Sequence, residues 1–242
     1  MQRTALAMAL AGLLVVPAWG MVTLLSASGQ VDIAGTLGTI VGSPPVVVEQ
    51  FAENVPRADL GLFQQSLHKS VQSGQYGTVD AMASQVSSFS TTGGQLTGAS
   101  FAGTAAITAG TFAPMGSAAR AESTFDFTFQ ITGQSAALSI VGSLTPLGAT
   151  AGPSLILRDA GSSTILAKVE SLTAGTNAFG ISGFLPPGQY SLSAYVGQNN
   201  PYAPPGVLAH SYSMVYTFIV PEPISLSLLA IGGLAVARRR RS

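Results

Sequence analysis

Phe125-Asp126-Phe127-Thr128-Phe129-Gln130 sets an aromatic ring and a polar side chain in strict alternation. Successive side chains of a strand point to opposite faces, so this stretch predicts a strand with its rings turned inward and its polar groups outward. Working toward the C-terminus, comparable segments recur at residues 137–143, 154–158, 165–169, 177–184, 189–196 and 211–219. Turn signals stand between them: Thr132-Gly133, Gly152-Pro153, Asp159-Ala160-Gly161, Pro186-Pro187-Gly188 and Asn199-Asn200-Pro201. Short strands spaced by such turns argue for an all-β sandwich.

Working toward the N-terminus, the pattern weakens. Phe63, Gln65, Leu67, Lys69 and Val71 alternate at period two, yet Phe63, Leu67 and Val71 also fit helical spacing. Gly74 and Gly77 follow at once and favour a strand. Residues 79–89, 95–101 and 104–111 are predicted strands, broken at Thr92-Gly93-Gly94 and at Gly103. Residues 21–58 are expected to be a lead-in with one or two strands, near Gly29-Gln30-Val31-Asp32-Ile33-Ala34 and Val46-Val47-Val48. The expected whole is a single jelly-roll-like β-sandwich over 59–219, set between an N-terminal signal helix and a short C-terminal transmembrane helix.

Charged residues make up only 8% of the 242 residues, against about 25% in an ordinary soluble chain. Five of the ten basic residues are Arg3 and the run Arg238, Arg239, Arg240 and Arg241. Residues 21–220 therefore keep five basic against nine acidic groups, a net charge of about −4. Such a body offers no clustered cations for nucleic acid. Cysteine is absent, which excludes thiolate metal sites, disulfides and a Cys nucleophile.

Residues 1–20 open with Met-Gln-Arg, continue as an apolar run to Val16 and end in Pro17-Ala18-Trp19-Gly20. A basic start, a short apolar helix and small residues at −3 and −1 make the plan of a secretory signal peptide. Ala18 and Gly20 are the expected cleavage residues, with the Sec machinery and signal peptidase as partners; an alternative cut lies near Ala27 to Gly29.

Residues 220–242 hold three parts in order: Pro221-Glu222-Pro223, an apolar run from Ile224 to Ala237, and Arg238 to Arg241. The two prolines fix φ and favour extended backbone before them, a stiff handle that a protease can grip. The apolar run has 14 residues, about 21 Å as a helix. That is shorter than a hydrocarbon core of about 30 Å, which suits a temporary anchor. The arginines are expected to stay cytoplasmic. This order of parts resembles the PEP-CTERM sorting signal. The resemblance implies a Gram-negative source, transient lodging in the inner membrane, and removal of the tail near Pro221-Glu222-Pro223 by exosortase, a membrane-embedded cysteine transpeptidase. It further implies delivery to the cell surface or extracellular matrix, in bacteria that make exopolysaccharide and biofilm. It covers about a tenth of the chain and says nothing of the body.

In the body, His68 and His210 lack metal-ligand spacing, and no Gly-x-Ser-x-Gly elbow is present. Both histidines are read as solvated or partly packed, and Asp126 and Asp159 as turn or rim carboxylates. No catalytic residue, metal or cofactor is expected. Tyr190, Tyr195, Tyr202, Tyr212 and Tyr216 crowd the last third, near two asparagines. Tyr190, Tyr212 and Tyr216 fit a packed sandwich with hydroxyls at the rim. Tyr195, Asn199, Asn200 and Tyr202 are the candidate glycan contacts, with the loop from Gln198 to Gly206 as their setting. The first expectation is thus a non-enzymatic exported surface or matrix protein. A secreted carbohydrate-binding module is the alternative, and a secreted hydrolase the third.

Overall fold

A computed structural model describes residues 20–39, 47–111, 115–147, 152–170, 173–203 and 206–220. The described chain is all β, as two antiparallel six-stranded sheets face to face. The strands are β1 (Met21–Thr39), β2 (Val47–Pro56), β3 (Phe63–Ser73), β4 (Gly77–Thr92), β5 (Gln95–Thr111) and β6 (Met115–Thr132). They continue as β7 (Ala136–Leu147), β8 (Ser154–Asp159), β9 (Ile165–Glu170), β10 (Asn177–Leu185), β11 (Gly188–Ala203) and β12 (Gly206–Ile219). One sheet runs β2-β1-β6-β11-β8-β9, the other β10-β7-β12-β5-β4-β3.

The opening hexapeptide lies in β6, between β1 and β11. Phe125, Phe127 and Phe129 are all buried at 2% exposure or less. Their rings begin a continuous aromatic seam. Phe101 stacks on Phe125 at 5.7 Å, Phe218 meets Phe127 edge-on at 5.4 Å, and Tyr190 stacks on Phe129 at 5.6 Å. Such pairs add about 0.5–1.5 kcal/mol each beyond their buried area. Further along the strands the facing residues shrink to Ala81, Ala83, Ala105, Ala109, Ala119 and Ala121, all buried. Ile33, Leu37, Val79 and Ile107 interleave with these alanines, so the seam of rings lies toward one end of the core and mixed aliphatic packing toward the other.

Several boundaries differ from the sequence reading. Residues 21–39 and 47–56 are integral to the sandwich: β1 pairs with β6 from Met21↔Thr132 to Thr39↔Met115, and β2 pairs with β1. The weak alternation of Ala119, Ala121 and Ser123 concealed that β6, its partner, starts ten residues before Phe125. Gly103 does not break a strand; β5 runs through it. A Cβ there would stand 2.4 Å from the Phe101 ring, so this glycine makes room for the seam. Asn199-Asn200-Pro201 is no turn, because β11 continues to Ala203 with a register shift after Asn200.

Other boundaries follow the expectation. Thr92-Gly93-Gly94-Gln95 is a tight hairpin turn with Gly93 and Gly94 at φ 58° and 80°, the left-handed pair that a two-residue loop demands. The segment at 63–73 is a strand, and its helix-like spacing has a physical source. Phe63, Leu67 and Val71 are buried while Gln65 and Lys69, on the same face, are exposed, so every second inward position is apolar.

Candidate functional site

The described residues end at Val220, which still packs against the core. β12 ends at Ile219, which pairs with Gly98 of β5 and Ser139 of β7. One residue later the Val220 N–H donates to the Thr97 carbonyl at 2.9 Å. The next residue is Pro221, which has no N–H to extend the ladder. Pro221, Glu222, Pro223 and Arg238 to Arg241 lie outside the described residues, as does Ala18.

The other end of the body lies nearby in the topology. Gly20 precedes β1 and approaches the β6–β7 turn so closely that a Cβ would stand 2.0 Å from the Gln134 carbonyl oxygen. Met21 pairs with Thr132 at the base of that turn, and β7 leaves it at Ala136, three residues before Ser139. Gly20 and Val220 thus leave the same end of the sandwich. Residues 27–29, the alternative cleavage region, lie inside β1 and pair with β6.

The second candidate region is the outer face of the first sheet. Tyr195 is half-buried there and donates its hydroxyl to Glu122 Oε1 at 3.2 Å. Burial first, and the Glu122 carboxylate second, push the Tyr195 phenol well above its usual range, so it stays a donor. Glu122 pairs directly with Asp32 across β1 and β6. Arg120 clamps the Asp32 carboxylate through Nε at 2.8 Å and Nη2 at 3.0 Å, and Asn54 Nδ2 donates to it at 2.9 Å. Both carboxylates are held as acceptors, side by side across β1 and β6, beside a tyrosine ring. Gly197 completes the patch, since a Cβ there would meet the Glu122 Cγ at 2.9 Å.

Sequence reasoning missed Asp32, Asn54, Arg120 and Glu122, which come from three strands. Extending the alternation of β6 upstream of Phe125 would have flagged Arg120 and Glu122 as outward neighbours. Of the candidate glycan contacts, Tyr195 belongs to this patch. Asn199 pairs with Arg120 and Asn200 with Ala119, so the two asparagines hold positions of opposite parity. Tyr202 follows in β11, and residues 198–203 form strand rather than loop.

The remaining singled-out groups hold structural contacts. His68 is exposed, and its Nε2 lies 2.8 Å from Asp80 Oδ2. Asp159 accepts the Gly161 and Ser162 amides at 2.9 and 3.0 Å, and these bonds lower its pKa. Asp126 is mid-strand, not at a rim; burial raises its pKa against opposing contributions from Ser193 and Arg158. Tyr190 donates to the Pro186 carbonyl at 2.8 Å and Tyr212 to Gln198 Oε1. Tyr216 is buried with no partner for its hydroxyl among the described residues, whereas a rim position was expected. The side chain of His210 lies outside the description. Inside the sandwich, Arg57 turns between the sheets. It lies 5.2 Å over Phe89, 5.4 Å over Phe125 and 5.8 Å over Phe63, and donates to Ser87 Oγ at 2.7 Å.

Comparison with known families matches residues 220–241 to the PEP-CTERM protein-sorting motif. The chain therefore carries a signal for export and exosortase processing. Curated proteins include no match. Among solved structures, the infectious bursal virus-derived T=1 particle is similar at 12% identity and a TM-score of 0.21. That similarity spans 85% of this chain and 56% of the viral one.

Proposed function

We propose that this chain is a non-enzymatic surface or matrix protein, a PEP-CTERM cargo whose body associates with exopolysaccharide after exosortase removes the tail. The observation that carries the reading is the junction at Val220. Among the described residues the last ladder bond falls at Val220, so a cut in the Pro221-Glu222-Pro223 handle leaves all twelve strands intact. Export would begin with cleavage after Gly20, because a cut at 27–29 would strip from β1 the buried Val22 and residues paired with β6. With the new N-terminus and Val220 at one end, the body would stand on the bilayer through its C-terminal segment alone, with its alanine-rich end outermost.

Replacing Pro221-Glu222-Pro223 by three alanines should hold the unprocessed protein in the inner membrane. Intact-mass measurement of the protein recovered outside the cell decides the matter. A mass that begins at Met21 and lacks Arg238 to Arg241 supports the reading, and one that retains the arginines rejects it.

A carbohydrate-binding role for the Tyr195 face is the second reading. It is favoured by a ring held beside hydrogen-bonding side chains on an outer sheet face. Retention of the processed protein on a polysaccharide column, lost in Tyr195→Ala, would support it. Equal passage of both proteins through every glycan tried would reject it.

A further inference from the structure

Among the described residues, four strands hold the edges of the two sheets: β2, β9, β10 and β3. Three carry ionisable side chains: Glu49 and Glu53 on β2, His68 and Lys69 on β3, Lys168 and Glu170 on β9. β10 reads Asn-Ala-Phe-Gly-Ile-Ser-Gly-Phe-Leu, with no charge and no proline. Its nine residues pair with β7 without a register shift. Charges, prolines and bulges are the devices that blunt a sheet edge against another strand. β10 has none of them, and its outer edge, which no described residue pairs with, offers a row of backbone donors and acceptors. Phe184 is 72% exposed, and a Cβ built on Gly180 or Gly183 meets nothing within 4 Å.

We propose that β10 pairs antiparallel with β10 of a second copy, about a two-fold axis at Ser182. The pattern of the strand argues for its own copy as occupant. A two-fold perpendicular to the sheet brings together residues of the same face, and the interface is self-complementary. Centred on Ser182, it sets Phe184 against the partner's Gly180, Ile181 against the partner's Gly183, and Phe179 against the partner's Leu185. An aromatic ring laid over a cross-strand glycine covers backbone that the glycine leaves bare. Both glycines are covered in this register, and the serines face each other. Centred one residue earlier, the axis would set Asn177 against the partner's Leu185, polar against apolar. The two-fold reverses the strand direction, so Val220 of the two copies leaves at opposite ends. On the sorting reading above, two copies tethered side by side in one bilayer cannot pair through this edge until their tails are removed.

The test uses the full chain in detergent micelles, which contains no native cysteine. Sedimentation should find a concentration-dependent dimer. Phe184→Lys should abolish it with an unchanged far-ultraviolet spectrum. On mild oxidation Ser182→Cys should form a disulfide-linked dimer, since directly opposed Cβ atoms lie about 4.5–5.5 Å apart. Ala178→Cys, exposed on the same face, should not. A monomer at every concentration overturns the proposal. So does a dimer that survives Phe184→Lys, which would place association in the apolar tail. Cross-linking of Ala178→Cys equal to that of Ser182→Cys overturns it as well.

Discussion

Along the margin where β2 faces β3, Lys69 reaches Glu53 at 2.9 Å and Arg57 turns inward over three aromatic rings, whereas no residue of β9 or β10 is fully buried. Each margin is made of two edge strands, one of them paired with a register shift and one without. The difference lies in what points inward. The closed margin supplies Phe63, Leu67 and Val71, each large enough to reach the facing sheet. The other supplies Ala167, Val169, Phe179 and Ile181, which remain partly exposed, and Gly183, which has no side chain to contribute. Backbone pairing alone makes a sheet edge, and side-chain volume and charge decide whether that edge is sealed or left available.

The largest expected effect comes from deepening that contrast. Phe125→Ala removes a ring with 0% exposure that touches Phe89, Phe101, Phe127 and the Arg57 guanidinium. It should lower the free energy of unfolding by about 3–5 kcal/mol. Phe184→Ala at the open margin should change it by less than about 0.5 kcal/mol. Urea titration of both variants at a concentration where the chain is monomeric checks this. Equal losses would break the comparison, because Phe184 at the open margin would then be packed as tightly as a ring at the centre of the sheet.

Arg57→Ala attacks the closed margin itself. Its guanidinium donates to Ser87 Oγ and to the Asp59 and Gly61 carbonyls. Ser87, with 0% exposure, also donates to the Gln85 side-chain carbonyl oxygen and so keeps one partner. Loss of the charged hydrogen bonds and the ring contacts should cost about 2 kcal/mol. Arg57→Lys should recover only part of this, since an ammonium cannot span three acceptors that a planar fork reaches. Urea midpoints of the two variants measured side by side are the check.

The two margins were also unequally legible in the sequence. The aromatic alternation at Phe125, Phe127 and Phe129 was plain because the contrast between neighbours is large. Gly103 misled, since a glycine that ends a strand and one that admits a ring look alike in sequence; only the Phe101 contact separates them. The Asp32, Arg120 and Glu122 network was invisible for a different reason. Its members are joined by the β1–β6 register, and Asp32 lies 88 residues from Arg120. The sorting motif was legible in full because it is read linearly, as an order of parts along residues 220–241. The open margin could be foreseen in part: the absence of charge in β10 is printed in the sequence, but its position at an edge is not.

Asp126 provides a smaller, pH-dependent reference between the margins. It sits mid-strand in β6, opposite Ser28 and Ser193, and burial raises its pKa above 3.8. A carboxyl with a raised folded pKa binds its proton more tightly folded than unfolded. Its contribution to stability is full below the unfolded value and is lost as pH rises through the folded one. Asp126→Asn should remove this fall and leave a flatter profile from pH 3.8 upward. Asp159 works in the opposite sense, because the amides of Gly161 and Ser162 lower its pKa and its contribution is lost as pH falls below 3.8. Urea midpoints across pH for the wild type and Asp126→Asn check the sign. A profile unchanged by the substitution would assign the pH dependence elsewhere.

The smallest expected effect tests whether the closed margin is held by its visible ion pair or by the apolar side chains beneath. Lys69 and Glu53 are half-exposed, at 49% and 38% of their side-chain surface. Exposed pairs contribute about 0–1 kcal/mol, because water screens the attraction and two long side chains lose rotamer freedom. Lys69→Met keeps the apolar stem over the margin and removes the charge. Its cost should be less than about 0.5 kcal/mol. Wild type and variant should then respond alike to added salt. A loss above about 1 kcal/mol that disappears at 1 M salt would make electrostatics the seal, since screening at that ionic strength acts within about 3 Å. Burial of Phe63, Leu67 and Val71 at 7–8% exposure argues for the other outcome. The margin closes because large side chains meet there, and the ion pair lies on a seam already shut.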